Sequence, residues 1–352
     1  MSELIINNSF KLNGLSYNKE KLISYSKILI NSNKRSSNIL GSFIKELFNE
    51  HDYIVVNTSG STGKPKVIKL KKSTLQDSAR KTQKFFDLKP NNTAICFLPL
   101  DFIAGKMMLV RSLMFGLELS LYDPTSKPKE LNKKYDFAAM TPMQASNCID
   151  HLFQIEKLLI GGGSISKLLN DKILRVKSKY YESYGMTETA SHIAIKTICE
   201  NSDFMTNYFN TLEGVSINTT EDKSLIIIAP YISKKKIVTN DIVELISNKS
   251  FRLIGRSDNI INSGGLKLNP ESIENKLSEN IPYRFFISSI KDDKLGNKLI
   301  LLIESKEYQI QQKVFQKLNK YEIPKKIIFL DYFVETHNNK IDRINTLLKI
   351  KL

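Results

Sequence analysis

Apolar residues at Leu40, Phe43, Ile44, Leu47 and Phe48 recur at the i, i+3, i+4 interval of a one-faced helix. The period then changes. Tyr53-Ile54-Val55-Val56 and Val67-Ile68-Lys69-Leu70 are short apolar runs suited to strands, with a polar run, 58–66, between them. Ser73 with Gln76 three residues on has the spacing of a capping box and predicts a helix to about Phe86. Strands are expected at 93–97, 117–121, 137–140, 157–160 and 180–183, interleaved with helices at 104–115, 143–151 and 166–177. Strand and helix taking turns argue for a mainly parallel sheet with helices on both faces. Past Ser191 the helical period drops out, leaving short strands at 215–218, 224–229, 237–238, 242–246 and 250–254. Beyond Gly255 the pattern is α+β. It predicts a hairpin around Ser263-Gly264-Gly265, strands at 285–290, 299–303 and 326–330, and a helix near 309–318. A helix from Pro270 has Asn269 as N-cap and Glu271 in its first turn. The first thirty or so residues carry no comparable pattern. The expectation is an α/β protein of two domains. A large domain over 1–257 would hold mainly parallel sheets with helices plus a β-rich part, and a small α+β domain would take 258–352.

Composition changes this picture little. A chain of 352 residues, 41% apolar and 25% charged, has ample core for two domains. The net charge of +16 invites a nucleic-acid reading. The lysines are spread rather than blocked, however, and no aromatic–basic RNA motif occurs, so neither nucleic acid nor membrane insertion is expected. A basic surface would still draw in anionic nucleotides. Cys96, Cys148 and Cys199 lie far apart with no metal spacing, which suits a reducing compartment. Met1-Ser2-Glu3-Leu4 opens no signal segment, and the longest apolar stretch, 94–110, is broken by Pro99, Asp101 and Lys106. A soluble, cytoplasmic protein is the expectation.

The polar run is where chemistry concentrates. Thr58-Ser59-Gly60-Ser61-Thr62-Gly63-Lys64-Pro65-Lys66 packs two glycines, hydroxyl side chains and two lysines into nine residues. Glycine lets backbone N–H groups turn towards phosphate oxygens, hydroxyls add donors, and lysine adds charge. The P-loop pattern does not fit. Gly60 and Gly63 are three apart, and Pro65 follows Lys64 where a hydroxyl for magnesium would stand.

Two later runs complete a pattern. Tyr184-Gly185-Met186-Thr187-Glu188-Thr189 and Gly255-Arg256-Ser257-Asp258, with the loop above, resemble in order and spacing the adenylate-forming superfamily of acyl-CoA synthetases and AMP-binding enzymes. The resemblance runs from about Tyr53 to Lys340. It implies a carboxylic acid activated by ATP and Mg²⁺ as an acyl-adenylate, then transferred to the thiol of coenzyme A. That chemistry needs positioning and charge stabilisation rather than a protein nucleophile. The resemblance implies that Thr58, Ser59, Gly60, Ser61, Thr62, Gly63 and Lys66 wrap the phosphates. It aligns Gly161, Gly162 and Gly163 along the adenine and acyl group, stacks Tyr184 on adenine, and sets Thr187 at the α-phosphate. Glu188 would be the magnesium ligand, and Asp241 and Arg256 would hold the ribose. Asn240 stands where the family has glycine, and asparagine is the residue that best replaces glycine at positive φ. Asp258 would be the hinge of a mobile small domain, Lys340 its catalytic lysine, and Gly264, Gly265, Leu266 and Lys267 part of the coenzyme A tunnel.

The acid stays open at this level. Only about 57 residues precede the phosphate loop, shorter than usual for such synthetases. Phe102 replaces the histidine the family usually carries after Pro-Leu-x. An acid with a second carboxylate would need a cation, and Lys106 and Arg111 are candidates beside ordinary solvated helix charges. A carrier-protein thiol in place of coenzyme A, or a nucleotide-binding relative without turnover, are the alternatives.

Overall fold

The computed structural model describes residues 4–57, 67–128, 131, 133–176, 178–199, 208–336 and 341–350. Contacts divide the chain into two compact units. One takes Met1–Ile165, Lys172–Val215 and Ala229–Lys235, and the other takes Ser166–Asp171, Ser216–Ile228 and Lys236–Leu352.

The first unit opens with the paired strands β1 (Lys11–Leu12) and β2 (Leu15–Ser16) and the helices α1 (Lys19–Ile30) and α2 (Arg35–Leu47). There follow the hairpin strands β3 (Tyr53–Asn57) and β4 (Val67–Lys71), α3 (Lys72–Phe86), β5 (Thr93–Cys96), α4 (Ile103–Phe115) and β6 (Glu118–Leu121). Next come β7 (Tyr135–Met140), α5 (Pro142–Asn147), β8 (Ile155–Ile160), β9 (Lys179–Gly185), β10 (His192–Ile198) and β11 (Phe209–Thr211). Helix α6 (Lys167–Leu174), between β8 and β9 in the chain, is divided, with Lys167–Asp171 counted in the second unit. The sheet runs in the order β11-β10-β9-β8-β7-β5-β6-β1-β2. Its centre is parallel through β9, β8, β7, β5, β6 and β1, and β10 and β11 add antiparallel pairing at one side. The parallel strands read as near-continuous apolar runs, as strands covered on both faces do. Their residues join a core built on Phe10, Phe43, Leu75, Leu109, Leu119 and Phe137. The two strands expected on either side of the polar run are present, and they pair antiparallel. Asn57 and Val67, the residues flanking 58–66, are cross-strand partners.

The second unit holds an antiparallel array β12-β13-β14-β15 (Ser216–Thr219, Ser224–Ile228, Ile237–Ser247, Ser250–Arg256). After it come the hairpin β16 (Ile261–Ser263) and β17 (Leu266–Leu268), α7 (Pro270–Leu277), and the sheet β18-β19-β20 (Phe285–Asp292, Gly296–Glu304, Lys326–Leu330). The last helix is α8 (Arg343–Leu348). The division into units does not fall at 257/258. Helix α7 packs on β15, and its N-cap residue Asn269 lies so near Gly255 that a Cβ there would stand 2.4 Å from the amide. That packing groups β12–β15 with the carboxy-terminal elements.

Several local expectations need correction. Helix α3 starts at Lys72, directly after β4, and its N-cap Lys71 makes no side-chain bond, so Ser73–Gln76 is not a capping box. A capping box does occur at Thr141 and Gln144, where Pro142 takes the first helical position. The helix that follows stops at Asn147, and 149–154 is a 3₁₀ turn. Only a 3₁₀ turn, Gln312–Phe315, stands where a helix over 309–318 was expected. Strands expected at 237–238 and 242–246 are one strand, β14, with register shifts in its pairing. Helix α1 and the strands β1 and β2 had no visible pattern. The start of α7 is as expected: Asn269 Oδ1 accepts from Ser272 N at 2.9 Å.

Gly105 is held by contact rather than conformation, because a Cβ there would lie 2.4 Å from the Pro99 carbonyl oxygen. Gly105→Ala is expected to cost roughly 1–3 kcal/mol, as overpacking against fixed backbone does. A chemical denaturation midpoint unchanged from wild type would contradict this.

Candidate active site

Strands β8 and β9 run parallel, and Ile160 pairs with Glu182 at their carboxyl ends. Open α/β sheets bind ligands outside those ends. Gly161-Gly162-Gly163 leaves β8 there. The Gly161 N–H donates to Met140 O at 3.0 Å, and Gly162 has φ +83°, which suits glycine. A Cβ on Gly161 would stand 2.2 Å from Ser183 Oγ, which itself donates to Ile160 O at 3.2 Å. Buried Glu182 ties the turn from the other side: it accepts from Ile165 N at 3.4 Å and pairs with Lys196.

Tyr184 is the next residue of β9. It is buried, with its ring 5.9 Å from that of Phe209. Gly185 must be glycine, since a Cβ would meet Ser191 O at 2.4 Å and His192 Cα at 2.5 Å. Thr187, Glu188 and Thr189 then form one 3₁₀ turn. Thr189 locks it by donating to Ser191 O at 2.7 Å and accepting from Met186 N at 3.0 Å. Thr187 is left half-buried and Glu188 exposed. The Gly161–Gly163 turn and the Tyr184–Glu188 run are thus brought together on neighbouring strand ends. No group of three or more His, Cys, Asp or Glu among the described residues could hold a metal ion by itself. A single exposed carboxylate such as Glu188 suits Mg²⁺ whose other ligands are phosphate oxygens and water.

Next to this turn lies a buried polar cluster. Arg111 Nη2 donates to Ser191 Oγ at 2.6 Å, and Ser191 Oγ is 3.2 Å from His192 Nδ1. On the ring's other side, His192 Nε2 is 3.3 Å from Thr82 Oγ1. Burial, aided by the Arg111 charge, holds the His192 imidazole well below its ordinary range, so it is neutral. Burial also draws Arg111 down to about 10. Arg111 Nε, wholly buried, has no acceptor, and no carboxylate pairs with this guanidinium among the described residues. A buried cation without an anion is costly, so this group suits an anionic ligand. Lys106, about 140° around the same helix from Arg111, instead sits with Nζ 4.1 Å from the Phe43 ring centroid. Burial lowers its ordinary value, against Glu46 and Asp101. Phe102 is half-buried at the start of α4.

In the second unit Asp241 and Arg256 are cross-strand partners, with Arg256 Nη1 3.2 Å from Asp241 Oδ1. The same guanidinium grips Asp258 through Nε at 2.9 Å and Nη2 at 2.6 Å, and holds that carboxyl below its usual range. Asn240 is not among the residues with positive φ. It lies within β14 and its amide donates to Asp258 at 3.4 Å, so glycine-like conformation does not explain it. Gly264 and Gly265 do have positive φ, +57° and +81°, and turn an exposed hairpin that carries Leu266 and Lys267. The run 58–66 and Lys340 lie outside the described residues. Sequence reasoning missed Glu182, Ser183, Ser191, His192 and Thr82. Only Ser191 and His192 could have been flagged, by lying just past the Thr187–Thr189 run, after Ala190.

A family model described as AMP-binding enzyme matches residues 17–215, more than half of the chain. The chain therefore belongs to the AMP-binding enzyme family, the AMP-forming acyl-CoA synthetases and their adenylate-forming kin. A curated relative, 2-succinylbenzoate–CoA ligase of Lactococcus lactis, is 24% identical over 314 residues, covering 82% of this chain and 69% of its own. An AMP-forming acyl-CoA synthetase/AMP-acid ligase II-like protein from Dyadobacter fermentans is 31% identical, with a TM-score of 0.60 over 93% of this chain and 97% of that one. O-succinylbenzoate CoA synthetase (MenE) from Bacillus subtilis, solved with the acyl-adenylate OSB-AMP, superposes at a TM-score of 0.80 over 98% and 96% of the two chains. At 16% identity that likeness is one of fold.

Gly161→Ala is expected to reduce ATP–pyrophosphate exchange about tenfold, by pushing Ser183 and the turn apart. Adding Ser183→Ala vacates the space and should recover most of it. A double variant no better than the single one would show that the turn needs glycine for another reason.

Proposed function

We propose that the protein is an ATP-dependent acid–CoA ligase whose acid is 2-succinylbenzoate, the reaction of menaquinone biosynthesis carried out by the ligases it resembles. The acid's carboxylate attacks the α-phosphorus of ATP, pyrophosphate leaves, and the acyl-adenylate forms. The thiol of coenzyme A then attacks the acyl carbon and AMP leaves. In this reading 58–66 cradles the β- and γ-phosphates, Gly161–Gly163 and Tyr184 line the adenine, and Thr187 meets the α-phosphate. Glu188 holds Mg²⁺, which supplies charge neutralisation on the phosphates. Asp241 and Arg256 take the ribose. Residues 258–352 turn at Asp258 between half-reactions, presenting first Lys340 and then the Gly264–Lys267 hairpin that borders the coenzyme A tunnel.

The observation that carries the choice of acid is Arg111. A fully buried guanidinium with a free Nε and, among the described residues, no carboxylate partner, beside the Thr187–Thr189 turn, suits an acid with a second carboxylate. Curated relatives named for 2-succinylbenzoate support the same reading. Lys106 faces an aromatic ring and is the weaker partner.

A pyrophosphate-release panel of acids tests the substrate directly, and free coenzyme A is expected to drive AMP release. Turnover only with a carrier-protein thiol would replace the second step. Arg111→Met should raise KM for 2-succinylbenzoate at least about tenfold, the size of a charge-assisted bond, while benzoate-type monocarboxylates are unaffected. Equal loss on both classes would remove the carboxylate role. Lys340→Ala is expected to abolish adenylate formation and spare thioester formation from supplied adenylate; equal loss of both would contradict its role.

A further inference from the structure

In the second unit the residues on either side of 337–340 are tied into the fold by more than chain connectivity. Glu335 and Ile341 form an antiparallel bridge, and Asp342 N donates to Val334 O at 2.8 Å. Asp342 also caps α8 by accepting from Asn345 N at 3.0 Å, and Val334 N donates to Thr346 Oγ1 at 3.0 Å. Arg284 grips Glu335 at 2.6 Å. Ile341 packs against the cluster of Phe286, Ile300, Leu302 and Phe333.

The direct link to the body of the unit is Arg343. Its Nη2 lies 2.8 Å from Glu274 Oε2, its Nη1 3.4 Å from Ile287 O, and its guanidinium carbon 5.4 Å from the Phe286 ring centroid. Glu274 is equally committed, since Oε1 accepts from Ile287 N at 2.8 Å. Glu274 therefore joins α7, β18 and the residue three after Lys340. A partly buried, two-sided ion pair of this kind fixes geometry more than it adds stability.

We propose that Glu274 and Arg343 are positioning residues for Lys340, required for adenylate formation and dispensable for thioester transfer. The proposal rests on the reading of Lys340 given above. Burial pushes the Glu274 carboxyl up to about 7, against the pull of Arg343 and with a further push from Glu271 on the same helix. Glu271 itself accepts from Asn259. The charge-assisted bond to Arg343 is thus complete above about pH 7 and lost to a neutral acid as pH falls through it.

ATP–pyrophosphate exchange and thioester formation from supplied acyl-adenylate separate the two half-reactions. Glu274→Leu and Arg343→Leu are expected to slow exchange at least about tenfold, as a misplaced catalytic group does, with thioester formation changed less than about twofold. Glu274→Gln should match wild type at pH 6, fall below it at pH 8, and lose the wild-type rise in exchange between them. This comparison stands even if the leucine variants do not fold. Equal loss in both half-reactions, or a wild-type pH profile in Glu274→Gln, would overturn the proposal. Lys340→Ala is the control. If it keeps exchange, the assignment of the lysine fails; if it loses exchange while the Glu274 variants do not, only the positioning role fails.

Discussion

Close approach of backbones at the carboxyl ends of β8 and β9 is the constraint on which the first unit's chemistry depends. Gly161 sits where a side chain would collide with Ser183, and Gly185 where one would collide with Ser191 and His192. Two parallel strands can end this tightly only if each leaves the sheet through glycine. The consequence is that the Gly161–Gly163 turn and the Thr187–Thr189 turn emerge side by side, one presenting backbone and the other a hydroxyl and a carboxylate. Neutral His192 and Ser191 then hold Arg111 from behind the same junction, so the two turns and the buried guanidinium share one support.

In the second unit, ion pairs do the corresponding work. Arg256 bridges Asp241 and Asp258, linking a strand residue to the short 3₁₀ turn that follows β15. Glu274 and Arg343 bind the last segment to α7 and β18. Arg256, Asp258 and Arg343 stay partly exposed while Asp241 and Glu274 are largely buried, so these pairs fix geometry more than they add stability.

Long periodic segments were legible in the chain. The 3.6-residue rhythm of Leu40, Phe43, Ile44 and Leu47 matches a helix, α2, and the Asn269-Pro270 start of α7 needed only local chemistry. The misses share a cause. At Ser73 the cap geometry was pre-empted because β4 runs straight into α3, and over 309–318 packing left only a single 3₁₀ turn. Asn240 shows the same limit at the site: its local conformation is ordinary, and its contact to Asp258 depends on a residue eighteen positions away.

The amino-acid sequence by itself determined the family and the order of its motifs, because phosphate cradles, tight turns and caps are chemistry of adjacent residues. It also marked Tyr184, Thr187, Glu188, Asp241 and Arg256, each carried within a short run. Only the tertiary structure decided that Arg111 is buried with no carboxylate partner among the described residues, that Ser183 forces Gly161, and that Glu274 meets Arg343 sixty-nine residues away. Burial and long-range pairing are set by how strands and helices stack, and no local pattern encodes which distant side chain will stand opposite.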